Sequence, residues 1–189
     1  DVLVACWAAG LVAVPINAKL HQREVAHIVA DAGARALFAT LGTVTTGQAA
    51  AQDGDALVIC AGTDAYEAMM APVPMEPAAR EASDDAWIFY TSGTTGRPKG
   101  AVLSHRNLLF MSQTYLADID ALSARDTKLH TAPMSHGSGL YALPHLLKGS
   151  HQVVFPGFDI AQIEAAFQRY DQITMFAVPT TLTRLVAAW

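Results

Sequence analysis

Between Thr91 and Gly100 the chain reads Thr-Ser-Gly-Thr-Thr-Gly-Arg-Pro-Lys-Gly, a run of hydroxyls, glycines and two cations. Gly93 and Gly96 let the main chain turn its N–H groups inward, and Thr91, Ser92, Thr94 and Thr95 add hydroxyl donors without bulk. Successive inward N–H groups form a concavity that binds anions. Arg97 and Lys99 bring fixed positive charge, and Pro98 between them restricts φ. The chemistry this combination suits is the holding of polyphosphate oxygens. An apolar run, Ala86-Trp87-Ile88-Phe89, precedes it, so the loop is expected at the end of a strand. An ordinary Gly/Ser/Thr hairpin turn is the plainer reading of any short piece of this stretch.

The stretch is not a Walker loop, which requires Ser or Thr directly after its lysine. Here Lys99 is followed by Gly100. Taken from Tyr90 to Gly100 and on through Ala101-Val102-Leu103-Ser104-His105-Arg106-Asn107-Leu108, it resembles the phosphate-loop signature of the adenylate-forming superfamily. That group includes acyl- and aryl-CoA synthetases, peptide-synthetase adenylation domains and luciferases. Gly10 to Asn17 is similar to a segment near the first sheet of these enzymes, and Pro133-Met134-Ser135-His136-Gly137-Ser138-Gly139 resembles their proline-x-x-histidine-x-x-glycine motif. The resemblance implies an α/β fold, layered α-β-α with mostly parallel sheets. It implies ATP and a small-molecule carboxylic acid as substrates, coenzyme A as acyl acceptor, and Mg2+ arriving with the nucleotide.

Residue by residue, the resemblance puts Thr91, Ser92, Gly93, Thr94, Thr95, Gly96 and Lys99 on the nucleotide phosphates and lets Thr91 offer a hydroxyl to the metal. Lys99 and His136 are then the catalytic candidates, His136 lying between the acyl group and the nucleotide. Leu140, Tyr141, Leu146 and Val178 are candidates for an acyl pocket, with core packing as their other reading. Tyr-Gly-x-Thr-Glu and Thr-Gly-Asp segments of the family do not occur in the sequence. The chain therefore reads as the front half of a large N-terminal domain, expected to be catalytically inactive by itself.

A competing reading uses Gly137-Ser138-Gly139-Leu140-Tyr141-Ala142, which fits the dinucleotide pattern G-x-G-x-x-A, with Asp159 as the ribose-binding acid of an oxidoreductase. Two features oppose it. Pro133 to His136 separate the glycines from the preceding strand, and Asp159 lies beyond the next strand rather than at its tip. A third reading is a non-catalytic binding domain that has kept the loop.

The elements that must position these residues follow a βα rhythm. A helix is expected up to Gly10, a buried strand over 11–16, a helix over 21–31 with Val25, Ile28 and Val29 inward, and strands over 35–40 and 56–60 around a helix at 43–52. Periodicity fades over 62–83, where Pro72, Pro74 and Pro77 suggest a linker, so the domains are drawn at 1–82 and 83–189. Beyond the loop, a strand returns over 101–103 and Ser104 caps a helix to about 122. Strands at 127–132, 151–155 and 173–178 alternate with helices over 140–147, from Asp159 to 170, and from Pro179 onward.

Composition agrees with a buried-sheet protein. The chain has 189 residues, 52% hydrophobic, with net charge −5. That balance argues against a nucleic-acid partner. Cys6 and Cys60 lie far apart in apolar runs, which fits reduced thiols and a cytoplasmic setting. None of the seven histidines forms an i, i+4 pair around an acid, so zinc is not expected. Val2 to Ile16, the longest apolar stretch, lacks a basic leader, contains Gly10 and Pro15, and is too short to span a bilayer. A homodimer remains open.

Overall fold

The computed structural model describes residues 1–70, 75–91 and 97–189. Ser92, Gly93, Thr94, Thr95 and Gly96 of the expected phosphate loop, with Pro72 and Pro74 of the expected linker, lie outside the described residues. The chain forms two compact units, residues 1–105 and 106–189.

The first unit begins with α1 (Val2–Ala8) and α2 (Gln22–Asp31). His21 and Glu24 close a capping box at the start of α2, satisfying main-chain donors that the first turn leaves over. Val25, Ile28 and Val29 form its buried stripe as the spacing predicts. β1 (Ala36–Ala39), α3 (Val44–Ala51) and β2 (Leu57–Cys60) complete a parallel βαβ unit with Ala36 opposite Leu57 and Ala39 opposite Cys60. Val25, Val29 and Ala50 form its core, with Ile16, Leu20 and Leu37 packed against them.

Two expectations change here. The run 11–16 is not a full strand but one parallel bridge, Ala13 to Trp87. Ala13 exchanges hydrogen bonds with Ala86 and Ile88, but Leu11 N–H donates to Cys6 at the end of α1. Pro15 has no N–H for the next rung, so the ladder stops. Within 62–83 there is also a helix, α4 (Asp64–Met69), capped by the Thr63 hydroxyl. At six residues it is too short to show a helical period.

β3 (Asp85–Thr91) and β4 (Lys99–Ser104) pair antiparallel, with Thr91 opposite Lys99 and Tyr90 opposite Gly100. The strand into the loop and the strand returning from it are thus both present. Trp87 is fully buried and its ring centroid lies 5.9 Å from that of Trp7. Trp7 also donates its indole N–H to Ala86 O at 2.8 Å. These contacts tie the β3–β4 hairpin to α1 within the first unit.

The second unit holds most of α5 (His105–Asp118), then β5 (Asp126–His130), α6 (Gly137–Leu140), α7 (Ala142–Leu147), β6 (His151–Val154), α8 (Ile160–Arg169), β7 (Gln172–Met175) and α9 (Pro179–Ala188). Its sheet is parallel, in the order β6-β5-β7, with central β5 buried through Leu129 and His130. The helix expected over 140–147 is split at Tyr141. Pro144 cannot donate to Leu140 O, so the helix restarts and places Pro144 in its first turn, where no intrahelical donor is needed. Asp159 caps α8 by accepting from Gln162 N–H at 3.0 Å, and Pro179 opens α9.

Candidate functional site

Of the loop residues, the structure describes Thr91, Arg97, Pro98 and Lys99. Thr91 and Lys99 are the last paired residues of the hairpin, facing each other at its open end, and both are exposed. Whatever fills the loop is therefore delivered from one closed pair, with the lysine charge at the pair itself. Among the described residues the one carboxylate–cation pair within 4.0 Å is Arg80–Asp84, so no such pair there neutralises Lys99. The expected contacts of Ser92 through Gly96 fall outside the described residues.

On either side of this pair, Tyr90 donates its phenol O–H to Asp31 Oδ2 at 2.6 Å, and His27 Nε2–H donates to Pro98 O at 3.1 Å. The carbonyl accepts only, so the imidazole proton sits on Nε2. Burial, and then Asp31, push the Tyr90 phenol up to about 12. Gly100 lies under the Tyr90 ring. A Cβ there would come within 3.0 Å of the ring and 2.7 Å of Ile88 Cγ2, so only glycine lets the ring close over the strand.

His136 belongs to the second unit and is described within it. It is exposed and stands at the N-cap of α6, with Nδ1 2.8 Å from Ser135 Oγ. The glycine of its motif is Gly139, where a Cβ would fall 1.8 Å from Met134 O. The turn and the short helix thus touch main chain to main chain. Gly137 is similarly closed by the Phe176 ring, 2.7 Å from its would-be Cβ. Both glycines of the dinucleotide pattern are taken up by internal packing, and Asp159 is taken up by capping α8. The geometry gives that reading no open pyrophosphate site.

Sequence reasoning missed the polar network that anchors α6. His130, fully buried, donates Nε2–H to Gln152 Oε1 at 2.7 Å, and Gln152 in turn donates to Ala142 O at 3.1 Å. His130 Nδ1 is then free to accept from Ser138 Oγ at 2.9 Å. The ring is the neutral Nε2–H tautomer, set by the Gln152 orientation. Burial pushes the His130 imidazole down, and burial followed by the charges of Lys128 and His130 pushes His145 down to about 4. Lys128, buried beside them, is pushed down to about 8, again chiefly by burial. No periodicity signals this network, because polar residues at 128, 130, 138 and 152 meet only through the sheet.

These shifts give the second unit a defined acid sensitivity. For a histidine whose folded pKa is depressed below the ordinary 6.5, stability is fully present above pH 6.5 and is lost as pH falls toward 4. At pH 5 the loss from His145 alone is expected to reach about 2 kcal/mol. Urea midpoints at pH 7 and pH 5 measure it, and His145→Gln is expected to shrink the difference between them.

Tyr141 packs its ring against Tyr115 and Phe176, each 5.5 Å away, so it serves the core. Leu146 and Val178 are 46% and 44% exposed, which leaves them available to line a surface. Among the described residues no group of three or more His, Cys, Asp or Glu side chains comes together to hold a metal. No helix among them is long and apolar enough to cross a membrane.

A mixed α/β chain with a short hairpin closed by Thr91 and Lys99, and a histidine at the head of a glycine-closed turn, matches a known family along nearly its whole length. The family profile described as AMP-binding enzyme covers residues 2–188, and the chain belongs to that family. It is 35% identical over 190 residues to a feruloyl-CoA synthase of an Amycolatopsis species, covering 99% of this chain and 37% of that protein. Among solved structures it is similar to the inhibitor-bound N-terminal domain of FACL13 from Mycobacterium tuberculosis, with TM-score 0.85 and 27% identity over 97% of this chain and 47% of that one. It is also similar to ATP-bound MatB from Rhodopseudomonas palustris, with TM-score 0.85 and 29% identity over 97% of this chain and 37% of that one. The α/β fold matches that of the N-terminal domain of FACL13. The chain spans little more than a third of the length of the curated relative.

Proposed function

We propose that the protein to which this chain belongs activates a carboxylic acid with ATP and passes the acyl group to coenzyme A. The observation that carries the reading is the family match over residues 2–188, joined to a hairpin whose end presents Lys99 opposite Thr91. In the first step a carboxylate oxygen attacks the α-phosphorus, the bond to the β-phosphate bridging oxygen breaks, and pyrophosphate leaves. Negative charge gathers on the leaving group, where Lys99, the loop N–H groups and the hydroxyls of Thr91, Ser92, Thr94 and Thr95 would hold it. In the second step the thiolate of coenzyme A attacks the acyl carbon and AMP departs. His136, exposed at the head of α6, is assigned to the pocket that separates acyl group from nucleotide until the thiol arrives.

Magnesium belongs to this reading as a counter-ion brought by the nucleotide, keeping mostly water and phosphate oxygens, with the Thr91 hydroxyl as one protein ligand. The free thiols Cys6 and Cys60 suit a reducing, cytoplasmic setting. The 189-residue chain alone is assigned phosphate binding without turnover.

The test uses the chain continued to the length of its relatives. Incubation with ATP, coenzyme A and a panel of aromatic, dicarboxylic and long-chain fatty acids is expected to give AMP and one preferred acyl-CoA. Formation of ADP in place of AMP, or acyl-CoA formation by the 189-residue chain alone, would overturn the assignment.

A further inference from the structure

His27 and Asp31 stand four residues apart on α2 and therefore share a face. Asp31 reaches the last-but-one residue of β3, and His27 reaches the residue that precedes β4. Asp31 accepts from Tyr90, the neighbour of Thr91, and His27 donates to Pro98, the neighbour of Lys99. One helix thus holds the residue on the strand side of Thr91 and the residue on the loop side of Lys99. The helix is itself fixed, since Val25 and Val29, on its other side, are buried in the core with Ala50. A two-stranded ribbon has little independent stability, so its end lies where its backing puts it.

We propose that His27 and Asp31 are positioning residues that lock the Thr91–Lys99 closing pair and so aim the Lys99 ammonium. The proposal builds on the phosphate-site reading of the hairpin, but the clamp itself is measurable without any ligand. Asp31 works here as an acceptor rather than as a charge. An asparagine carbonyl can replace it, and a leucine cannot. His27 works as a donor at Nε2, which a glutamine amide can supply and a leucine cannot. These conservative exchanges separate positioning from bulk packing.

The experiment compares the 189-residue chain with Asp31→Leu, Asp31→Asn, His27→Leu and His27→Gln by amide hydrogen exchange and by calorimetry with inorganic pyrophosphate. Each leucine variant is expected to speed exchange at Thr91, Lys99 and Gly100 by about tenfold while protection of β1 and β2 is kept. Pyrophosphate affinity is expected to fall by about tenfold in parallel. The Asn and Gln variants are expected to restore both. Tyr90→Phe should match Asp31→Leu, and the two changes combined should be no worse than either alone, because both remove one bond. Unchanged exchange at the closing pair in the leucine variants overturns the proposal, as does failure of Asn and Gln to rescue. If the unaltered chain binds no pyrophosphate, the phosphate reading fails, and the exchange pattern still decides for or against the clamp.

Discussion

Lys99→Ala is expected to slow adenylate formation by about a hundredfold or more, measured as pyrophosphate–ATP exchange in the chain continued to the length of its relatives. Lys99 is the first residue of β4, exposed, opposite Thr91, and no ion pair among the described residues engages it. Its ammonium is therefore uncommitted by any such pair, at a place held by strand pairing on one side and by the proline carbonyl contact to His27 on the other. A preorganised cation facing a leaving group whose charge grows along the reaction acts mainly on the transition state, with about 2 to 4 kcal/mol at stake. Loss should accordingly appear in kcat and kcat/KM together, with a smaller change in KM. Lys99→Arg keeps the charge but replaces a compact point by a broad fork, so partial activity is expected. Exchange that survives Lys99→Ala unaltered would remove the lysine from the mechanism.

The second large effect is structural. Gly139→Ala is expected to destabilise the second unit by more than the roughly 1 to 3 kcal/mol typical of overpacking. Two influences compete at this position. Alanine favours helix over glycine by about 1 kcal/mol, and Gly139 lies in α6. Against this, the new Cβ would stand 1.8 Å from Met134 O and 2.8 Å from Met134 C, both main-chain atoms that no rotamer change can move aside. The clash wins, and the turn carrying Ser135 and His136 must shift. Gly137→Ala meets only the Phe176 ring, which can rotate, so its effect should be the smaller of the two. Thermal midpoints of the two variants give the comparison. A Gly139→Ala variant as stable as the original would show that the turn and α6 do not touch as described.

What the sequence revealed and what it hid divide along a physical line. The stripe Val25, Ile28, Val29 and the alternation of short apolar runs with helices are local signals, and α2, β1, β2 and the parallel sheet β6-β5-β7 follow from them. The strand 11–16 failed because a proline and a helix-terminal hydrogen bond interrupt its ladder, although its apolar composition is that of a strand. α4 went unseen because six residues are too few to show a period, and its threonine cap is a weak signal by itself. Thr91, Lys99 and His136 are singled out by the order of residues around them. Asp31 and His27 were not, because their partners lie 59 and 71 residues away and no local pattern announces such a contact. His130, Ser138 and Gln152 were missed for the same reason. Their one sequence trace is polarity where a buried strand and helix should be apolar.

The central claim is that the hairpin closed by Thr91 and Lys99 receives a polyphosphate, and one titration addresses it directly. In an isotope-labelled 189-residue chain, inorganic pyrophosphate is expected to move the amide signals of Thr91 through Gly100 in a saturable way, and Lys99→Ala is expected to abolish the movement. Signals in that stretch that stay still at saturating pyrophosphate, or that move identically in the alanine variant, would contradict it.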